Sequence, residues 1–314
     1  MEALNNTSPF ITIAIVTYNS ESTILETLES VKNQTCRDFE LIISDDGSKD
    51  KTVEICRQWL NLNAHLFANV LVLTVNANTG TSFNCNRALK SSNGEWLMLL
   101  AGDDALMPDA INLFEEYILK VPEAQWIATR YDAYDEKFND ESKIIDTHLF
   151  DKSIKWGDDT PSNQLLYLVK KGCPISASSF YFKRNIIIKY GGFNERYKFI
   201  EDVPMMITLL ENGVKCFFYN KSTVKYRKQL KSSSRIYNMA MVKERREIAI
   251  NMRFKYLNFV EKTNIVVKYN CLLFLNTIGL NRNTPFCRFV YYVTMKLINV
   301  LTWKHGGYPY AYSK

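Results

Sequence analysis

Apolar residues in the first half of the chain come in short runs of strand length, each closed by a polar turn and followed by a stretch with helical periodicity. Phe10 to Thr17 is rich in Ile, Val and Thr and runs into Tyr18, Asn19 and Ser20, which predicts a first strand ending in a polar turn. Ser20 or Ser22 is placed to cap a helix whose apolar positions Ile24, Leu25, Leu28 and Val31 recur at helical spacing. Phe39 to Ile43 predicts a second strand, closed by Ser44, Asp45, Asp46, Gly47 and Ser48. Lys51 to Leu62 reads as a helix burying Val53, Ile55, Cys56, Trp59 and Leu60, and Val70 to Val75 as a third strand. A turn over Asn78, Thr79 and Gly80 leads to a helix from Ser82 to Leu89. Leu97 to Ala101 is a fourth apolar run, stopped by Gly102, Asp103 and Asp104, and Pro108 to Val121 is again helical. Such alternation predicts an α/β fold with a parallel sheet and right-handed crossovers.

The second half is less regular. Trp126 to Tyr131 predicts a fifth strand, and Asp132 to Thr160, polar and aperiodic with Trp156 in it, predicts a long loop or excursion. Gln164 to Lys170 reads as a short helix and Ser176 to Phe182 as a strand. Gly191 and Gly192 open a turn toward Glu201 and Asp202, which stand at a helix start with Pro204 in the first turn and Met205, Met206, Leu209 and Leu210 behind. Cys216 to Tyr219 and Thr223 to Arg227 predict a closing pair of strands. From Lys231 onward the texture is helical, with one apolar cluster around Leu272 to Ile278 and another from Phe289 to Trp303. Lys268, Arg288 and Lys296 interrupt them, so neither reaches the ~18 uninterrupted apolar residues of a membrane span.

Charge sharpens this division. The net charge of the 314 residues is +6, yet positions 221–314 hold eighteen Lys and Arg against three Glu. A mildly acidic body thus carries a strongly basic end. Basic, aromatic, amphipathic helices suit the interface of an anionic bilayer; the alternative is a helical subdomain packed through its apolar face with Lys and Arg in water. Seven cysteines without C-x-x-C spacing predict reduced thiols in a cytoplasmic protein, and three dispersed histidines predict no His-based metal cluster. The polar N-terminus runs straight into a strand, so no signal peptide is expected.

The candidate chemistry lies where strands end in acids. Asp103 and Asp104, adjacent beside a buried strand, repel each other and lose hydration, so keeping both ionised calls for a cation. Mg²⁺ or Mn²⁺ accepts carboxylate oxygen and leaves coordination positions for substrate phosphates. An N-cap with a charge favoured by the helix dipole explains the same pair without a metal.

Taken together in order, IAIVTYNS (Ile13 to Ser20), FELIISDDGSKD (Phe39 to Asp50), NTGTSFNCNRAL (Asn78 to Leu89), GEWLMLLAGDDALMPD (Gly94 to Asp109) and FNERYKFIEDVPMMITL (Phe193 to Leu209) resemble the motifs of the family 2 glycosyltransferases, especially the bacterial enzymes that assemble O-antigen or capsule repeats. The resemblance implies the GT-A fold, a Rossmann-like, mostly parallel central sheet flanked by helices. It implies a nucleotide-binding half over about 1–130 and an acceptor half over about 131–230; beyond them lies the C-terminal helical basic extension, 231–314, whose charge and amphipathic pattern suit membrane association. Position by position, it places Tyr18 against a uracil, with Val16 and Thr17 as adjoining backbone, Asp46 at the base N3, and Asp45 and Gly47 in that turn. Asn86 and Arg87 match a motif near the nucleotide, a plain helix surface being the alternative for Arg87. Asp103 and Asp104 match the end of the family's metal motif: one would bind Mn²⁺ or Mg²⁺ across the diphosphate, the other would hold the ribose or support the first. Asp202 matches the family's catalytic base, with Glu201 as runner-up or as an orienting neighbour.

Two departures stand out. Many relatives carry an acid where this chain has Ala101, and a His often follows the closing Tyr and Arg, where here Tyr226 and Arg227 precede Lys228 and Gln229. The implied activity is inverting, metal-dependent transfer of a hexose from a UDP-sugar to a polyprenyl-diphosphate-linked sugar acceptor. It would take place at the inner face of the cytoplasmic membrane, where the protein would be peripheral. A sugar-phosphate nucleotidyltransferase would show a Gly-rich loop after the first strand, and Thr17 to Thr23 contains no Gly. A non-enzymatic anionic-polymer binder built on the basic end sits poorly with the acidic body, and no nucleic acid is expected as a partner.

Overall fold

The computed structural model describes residues 11–36, 38–144, 155–228, 238–280 and 284–301. The chain divides into two compact units, Met1–Gln164 with Pro174–Gln229, and Leu165–Cys173 with Leu230–Lys314.

The first unit is built on one sheet. Its leading strands are β1 (Ile11–Thr17), β2 (Phe39–Asp45), β3 (Asn69–Thr74) and β4 (Trp96–Ala101), joined by helices α1 (Ile24–Lys32), α2 (Thr52–Asn63) and α3 (Thr81–Ser91). They pair in parallel in the order β3-β2-β1-β4. Because β1 sends the chain outward to β2 and β4 returns on its other side, the order reverses between β1 and β4, and ligands bind open α/β sheets at such a reversal. Strands buried on both faces need near-continuous apolar sequence, and Ile11, Ile13, Ala14, Ile15, Leu97 and Met98 are fully buried. One face packs Ile11, Ile13 and Ile15 against Ile24, Leu28 and Val31 of α1 and Cys56 and Trp59 of α2.

Beyond β4 the sheet turns mixed. After β5 (Ala105–Leu106) and α4 (Ala110–Lys120) come β6 (Trp126–Asp135), β7 (Lys143–Ile144), α5 (Pro161–Lys171), β8 (Phe180–Lys183), α6 (Arg184–Lys189), α7 (Asp202–Glu211) and β9 (Cys216–Lys228). The order continues β4-β8-β6-β9-β5, with β7 on β6. The expected pair of closing strands is a single strand, β9, parallel to β6; the register skips from Thr129–Tyr219 to Arg130–Ser222, so the polar break at Asn220 and Lys221 is a bulge and not a turn. The expected strand from Ser176 begins only at Phe180, because Ala177–Ser179 form a 3₁₀ turn. Part of the expected loop after Asp132 is ordered: β6 runs on to Asp135, and Trp156 is buried edge-on against Trp126, its ring N–H donating to the Gln164 carbonyl. The stretch 145–154 lies outside the described residues.

The second unit holds α8 (Met239–Ile248), which passes through a π-turn at Ala249–Arg253, then α9 (Phe259–Thr277) and α10 (Pro285–Leu301). Asn258 and Glu261 close a capping box at the start of α9. Val242 and Ala249 pack with Tyr269 and Leu272 between α8 and α9. Among the described residues no helix is long and apolar enough to cross a membrane. All seven cysteines are free thiols.

Candidate active site

Three strand ends meet at the C-terminal edge of the parallel strands. The Thr17 carbonyl at the end of β1 accepts from the Asp46 N–H at 3.0 Å, and the Val16 carbonyl accepts from the Gly102 N–H at 3.0 Å. The Asp45–Gly47 turn and the Gly102–Asp104 turn therefore flank β1, with Tyr18 45% exposed between them. Gly102 has no room for a side chain: a Cβ would lie 2.6 Å from Thr17 Oγ1. Neither Ser20 nor Ser22 caps α1 through its side chain; instead the Ser20 carbonyl accepts from the N–H groups of Thr23 and Ile24, and Thr23 Oγ1 donates to the Gly102 carbonyl at 2.9 Å.

The two acids of the second strand end are both buried and both engaged. Asp45 accepts from the N–H groups of Gly47 and Ser48 at 3.0 and 2.9 Å, holding the turn in which Gly47 adopts φ +78°. Asp46 accepts from the N–H groups of Thr79 and Gly80 at 3.0 and 2.7 Å, from Thr79 Oγ1, and from Arg87 Nη2 at 3.3 Å. A carboxylate offers about four lone-pair positions, so the expected acceptor for a base N–H is directed at the Thr79–Gly80 turn. Arg87 is not a plain surface residue: it joins Asp46, Thr79 Oγ1, the Asp45 carbonyl and Asn84 Oδ1. Asn86 departs from the expected nucleotide contact. Its amide donates to the Phe193 carbonyl and Glu195 and accepts from the Phe193 N–H, so it is a bracket for the next loop.

That loop carries the second acidic pair. Beyond Asn86, Ser82 Oγ donates to the Tyr197 carbonyl and the Thr81 N–H to the Lys198 carbonyl at 2.6 Å, pinning residues 193–198 along α3. Gly80, at φ +106°, makes the contact possible, since a Cβ there would lie 2.8 Å from Lys198 Cβ. Glu201 and Asp202 then stand at the start of α7, Asp202 accepting from the Val203 N–H at 2.7 Å. The fully buried Cys85 of α3 reports on what surrounds it. Burial first, and then the charges of Glu201, Asp202 and Asp46, raise its thiol pKa well above the ordinary value. Asp46 and the Glu201–Asp202 pair, far apart in sequence, thus both lie close enough to α3 for their charges to reach Cys85.

The geometry separates Asp103 from Asp104. Asp104 is 2% exposed, and its carboxylate accepts from Ser178 Oγ at 2.6 Å and from the Arg227 N–H at 2.9 Å. Burial, then the neighbouring Asp103 charge, pushes its pKa up to about 8. Asp103 is half-buried; burial raises its pKa, and among the described residues no side chain donates to its carboxylate. Arg227 stitches the pair to the sheet: Nε donates to the Asp103 carbonyl at 2.8 Å, and the two Nη atoms to the Glu136 carbonyl and the Glu26 carboxylate, with the guanidinium 3.9 Å over the Phe138 ring. No cluster of three His, Cys, Asp or Glu that could hold a metal exists among the described residues. A divalent ion would fit here through the Asp103 carboxylate, to which no described side chain donates, completed by phosphate oxygens and water, the mode in which Mg²⁺ commonly binds nucleotides. Ser178, Thr79 and Arg227 are the site residues that sequence reasoning gave no role. They lie 74, 33 and 123 positions from their carboxylate partners, and no local spacing announces them.

Acids at the C-terminal ends of a part-parallel, part-mixed sheet, with a further acidic pair bracketed against α3, define a GT-A glycosyltransferase. The chain belongs to glycosyl transferase family 2, whose pattern it matches over residues 12–190. It is 25% identical over 205 residues to the PGL/p-HBAD biosynthesis glycosyltransferase of Mycobacterium tuberculosis, covering 65% of this chain and 71% of that protein. It is 22% identical to the putative glycosyltransferase EpsE of Bacillus subtilis, covering 71% and 74%. Among solved structures, S. aureus TarS in complex with UDP-GlcNAc superposes with a TM-score of 0.58 at 18% identity, covering 92% of this chain and 80% of that one. The mannosyltransferase PcManGT of Pyrobaculum calidifontis, in complex with GDP-Man and Mn²⁺, gives 0.56 at 13%, covering 95% and 84%. These likenesses show the fold, and the chain is a glycosyltransferase.

Proposed function

We propose that this glycosyltransferase moves a hexose from a UDP-sugar, with inversion, to a sugar carried on a lipid diphosphate at the inner face of the cytoplasmic membrane, as in O-antigen or capsule assembly. The observation that carries the reading is a set of acids with unequal roles: at the end of β4, Asp103 with no side-chain donor and Asp104 fully engaged, and Asp202 at a helix start whose charge reaches Cys85 of α3. That TarS has been crystallised with UDP-GlcNAc supports a UDP-sugar as donor.

In this reading Tyr18 lies against the base, and Val16, Thr17 and the Asp45–Gly47 turn shape its pocket. Arg87 keeps Asp46 and Thr79 in register beneath it. Asp103 would hold Mn²⁺ or Mg²⁺, which would supply positive charge against the negative charge developing on the departing diphosphate. Asp104, held by Ser178 and the Arg227 N–H, fixes the turn that carries Asp103. A sugar hydroxyl is a poor nucleophile at neutral pH, so displacement from the face opposite the leaving group needs a carboxylate to take its proton. Asp202 is assigned that task and Glu201 the orientation of the acceptor. The basic helices of the second unit bring the enzyme to a membrane that holds an anionic acceptor.

The deciding experiment is a panel of nucleotide sugars assayed for hydrolysis and transfer with Mn²⁺ or Mg²⁺. Turnover of a UDP-sugar that is lost with EDTA and with Asp103→Ala is expected. Turnover confined to GDP- or dTDP-sugars, or indifferent to chelation, would overturn the donor and metal assignments respectively.

A further inference from the structure

Within the second unit, α8 meets α9 along Met239, Val242 and Ala249 on one side and Ile265, Tyr269 and Leu272 on the other. Helical periodicity places Arg246 on that same α8 stripe, with Arg245 beside it, and Lys268 in the α9 stripe between Ile265 and Leu272. A packed seam between helices ordinarily carries apolar side chains at such positions. Here it carries cations. Arg246 Nε is buried and has no hydrogen-bond partner. Arg253, from the π-turn, joins the group and donates through Nε to the Val169 carbonyl at 2.7 Å. Glu261, at the start of α9, pairs with Lys170 at 3.0 Å. Among the described residues no carboxylate lies within ion-pair distance of Lys268 or Arg246. Burial first, then the charges of Arg253 and Arg245, lowers the Lys268 pKa to about 8.

Like charges held together at a helix seam cost several kcal/mol unless an anion joins them. The same unit exposes large apolar side chains: Phe259, Val260 and Phe274 on α9, Phe286, Phe289 and Tyr292 on α10. We propose that the Arg246–Lys268 seam, with Arg245 and Arg253 beside it, is a binding site for the phosphate group of an anionic membrane lipid, seated while the exposed aromatic side chains enter the interface. The membrane source of that phosphate rests on the function proposed above; the phosphate chemistry rests on the seam alone.

The test uses the full chain and three forms: wild type, the seam variant Arg246→Met with Lys268→Met, and a control, Lys243→Met with Lys255→Met, that removes two exposed charges from the same unit. Methionine keeps the seam filled and apolar, so the seam variant retains its fold, read by circular dichroism. Sedimentation with phosphatidylglycerol-containing vesicles is expected to show a loss of affinity well beyond about 30-fold for the seam variant, and no more than that for the control, since diffuse surface charge accounts for roughly fivefold per basic residue. Equal losses in the two variants overturn the site in favour of diffuse surface charge. Thermal stabilisation by inorganic phosphate without divalent metal, seen in wild type and absent in the seam variant while neither binds vesicles, overturns the lipid assignment in favour of a free phosphate. UDP-sugar hydrolysis by all three forms is measured alongside. Its absence from wild type removes the UDP-sugar donor and leaves the vesicle result standing, whereas its retention with no vesicle binding removes only the lipid site.

Discussion

The contrast between Asp103 and Asp104 is open to direct measurement. Asp104→Ala takes the acceptor from two donors at once, Ser178 Oγ at 2.6 Å and the Arg227 N–H at 2.9 Å. A buried donor left without a partner costs roughly 1–3 kcal/mol, and removing a buried carboxyl relieves some desolvation, so the net loss of stability comes to about 2–4 kcal/mol. At roughly 2–4 °C per kcal/mol for a chain of this size, thermal unfolding should begin about 5–15 °C earlier. Asp103→Ala strips no side-chain donor of its partner, so its unfolding should shift by no more than about 0.5 kcal/mol. Calorimetric titration of UDP with and without Mn²⁺ reverses the ranking. Asp103→Ala should lose the metal-dependent part of the affinity, whereas folded Asp104→Ala should keep a reduced part of it. Should Asp103→Ala prove the unstable variant while retaining metal-stimulated UDP binding, the division of labour drawn from the hydrogen bonds is wrong.

Four further outcomes are expected. Asp202→Asn should abolish transfer, by at least a hundredfold as for loss of a general base, while UDP affinity by calorimetry stays within about twofold; transfer at the wild-type rate would remove Asp202 as base. Gly192→Ala should destabilise by about 2 kcal/mol or more and slow turnover, because a Cβ at φ +75° would lie 2.5 Å from Asn86 Oδ1 and lever the loop off α3; an unchanged melting curve would contradict this. The depressed Lys268 pKa, about 8, means that the unfolded chain binds more protons there than the folded one from about pH 8 up to the ordinary lysine value. Stability should therefore rise with pH across that window in wild type and less in Lys268→Met, by chemical denaturation. Cys85, fully buried with a thiol pKa raised by burial and nearby acids, should be alkylated in the native state later than the half-buried Cys173 and Cys271, as read by peptide mass spectrometry.

What could be read from the sequence was set by the range of each interaction. The parallel half was legible because each strand is an apolar run followed by its own helix, and Ile11–Thr17 through Trp96–Ala101 fall within a residue or two of the expected bounds. The turn acids were legible as well, since Asp45 binds Gly47 and Ser48 only two and three positions on. The mixed half was read less well. A bulge against β6 looks like a turn when the partner strand is unseen, and the two runs around Asn220 were separated for that reason. The motif that placed Asn86 near a nucleotide could not say that its amide is engaged by Phe193, 107 positions later. Nor could adjacent aspartates reveal that one is held by a serine and a backbone N–H from distant strands, so their unequal roles needed the tertiary structure.

The Arg227 stitch bears on how the enzyme can be made. Its backbone and guanidinium reach back 123 and 201 positions, to Asp104 and Glu26, so the Asp103–Asp104 turn is completed by almost the last residue of the sheet to leave the ribosome. A nascent chain of the first 130 residues would already contain Asp46, Asp103 and Asp104 and still lack the Arg227 clasp on the Asp103–Asp104 turn. Contacts this distant in sequence form late. Fragments that end before β9 should therefore be inert toward UDP however well their parallel strands assemble, and an interruption of synthesis shortly before Arg227 would leave a folded-looking protein with an unmade site.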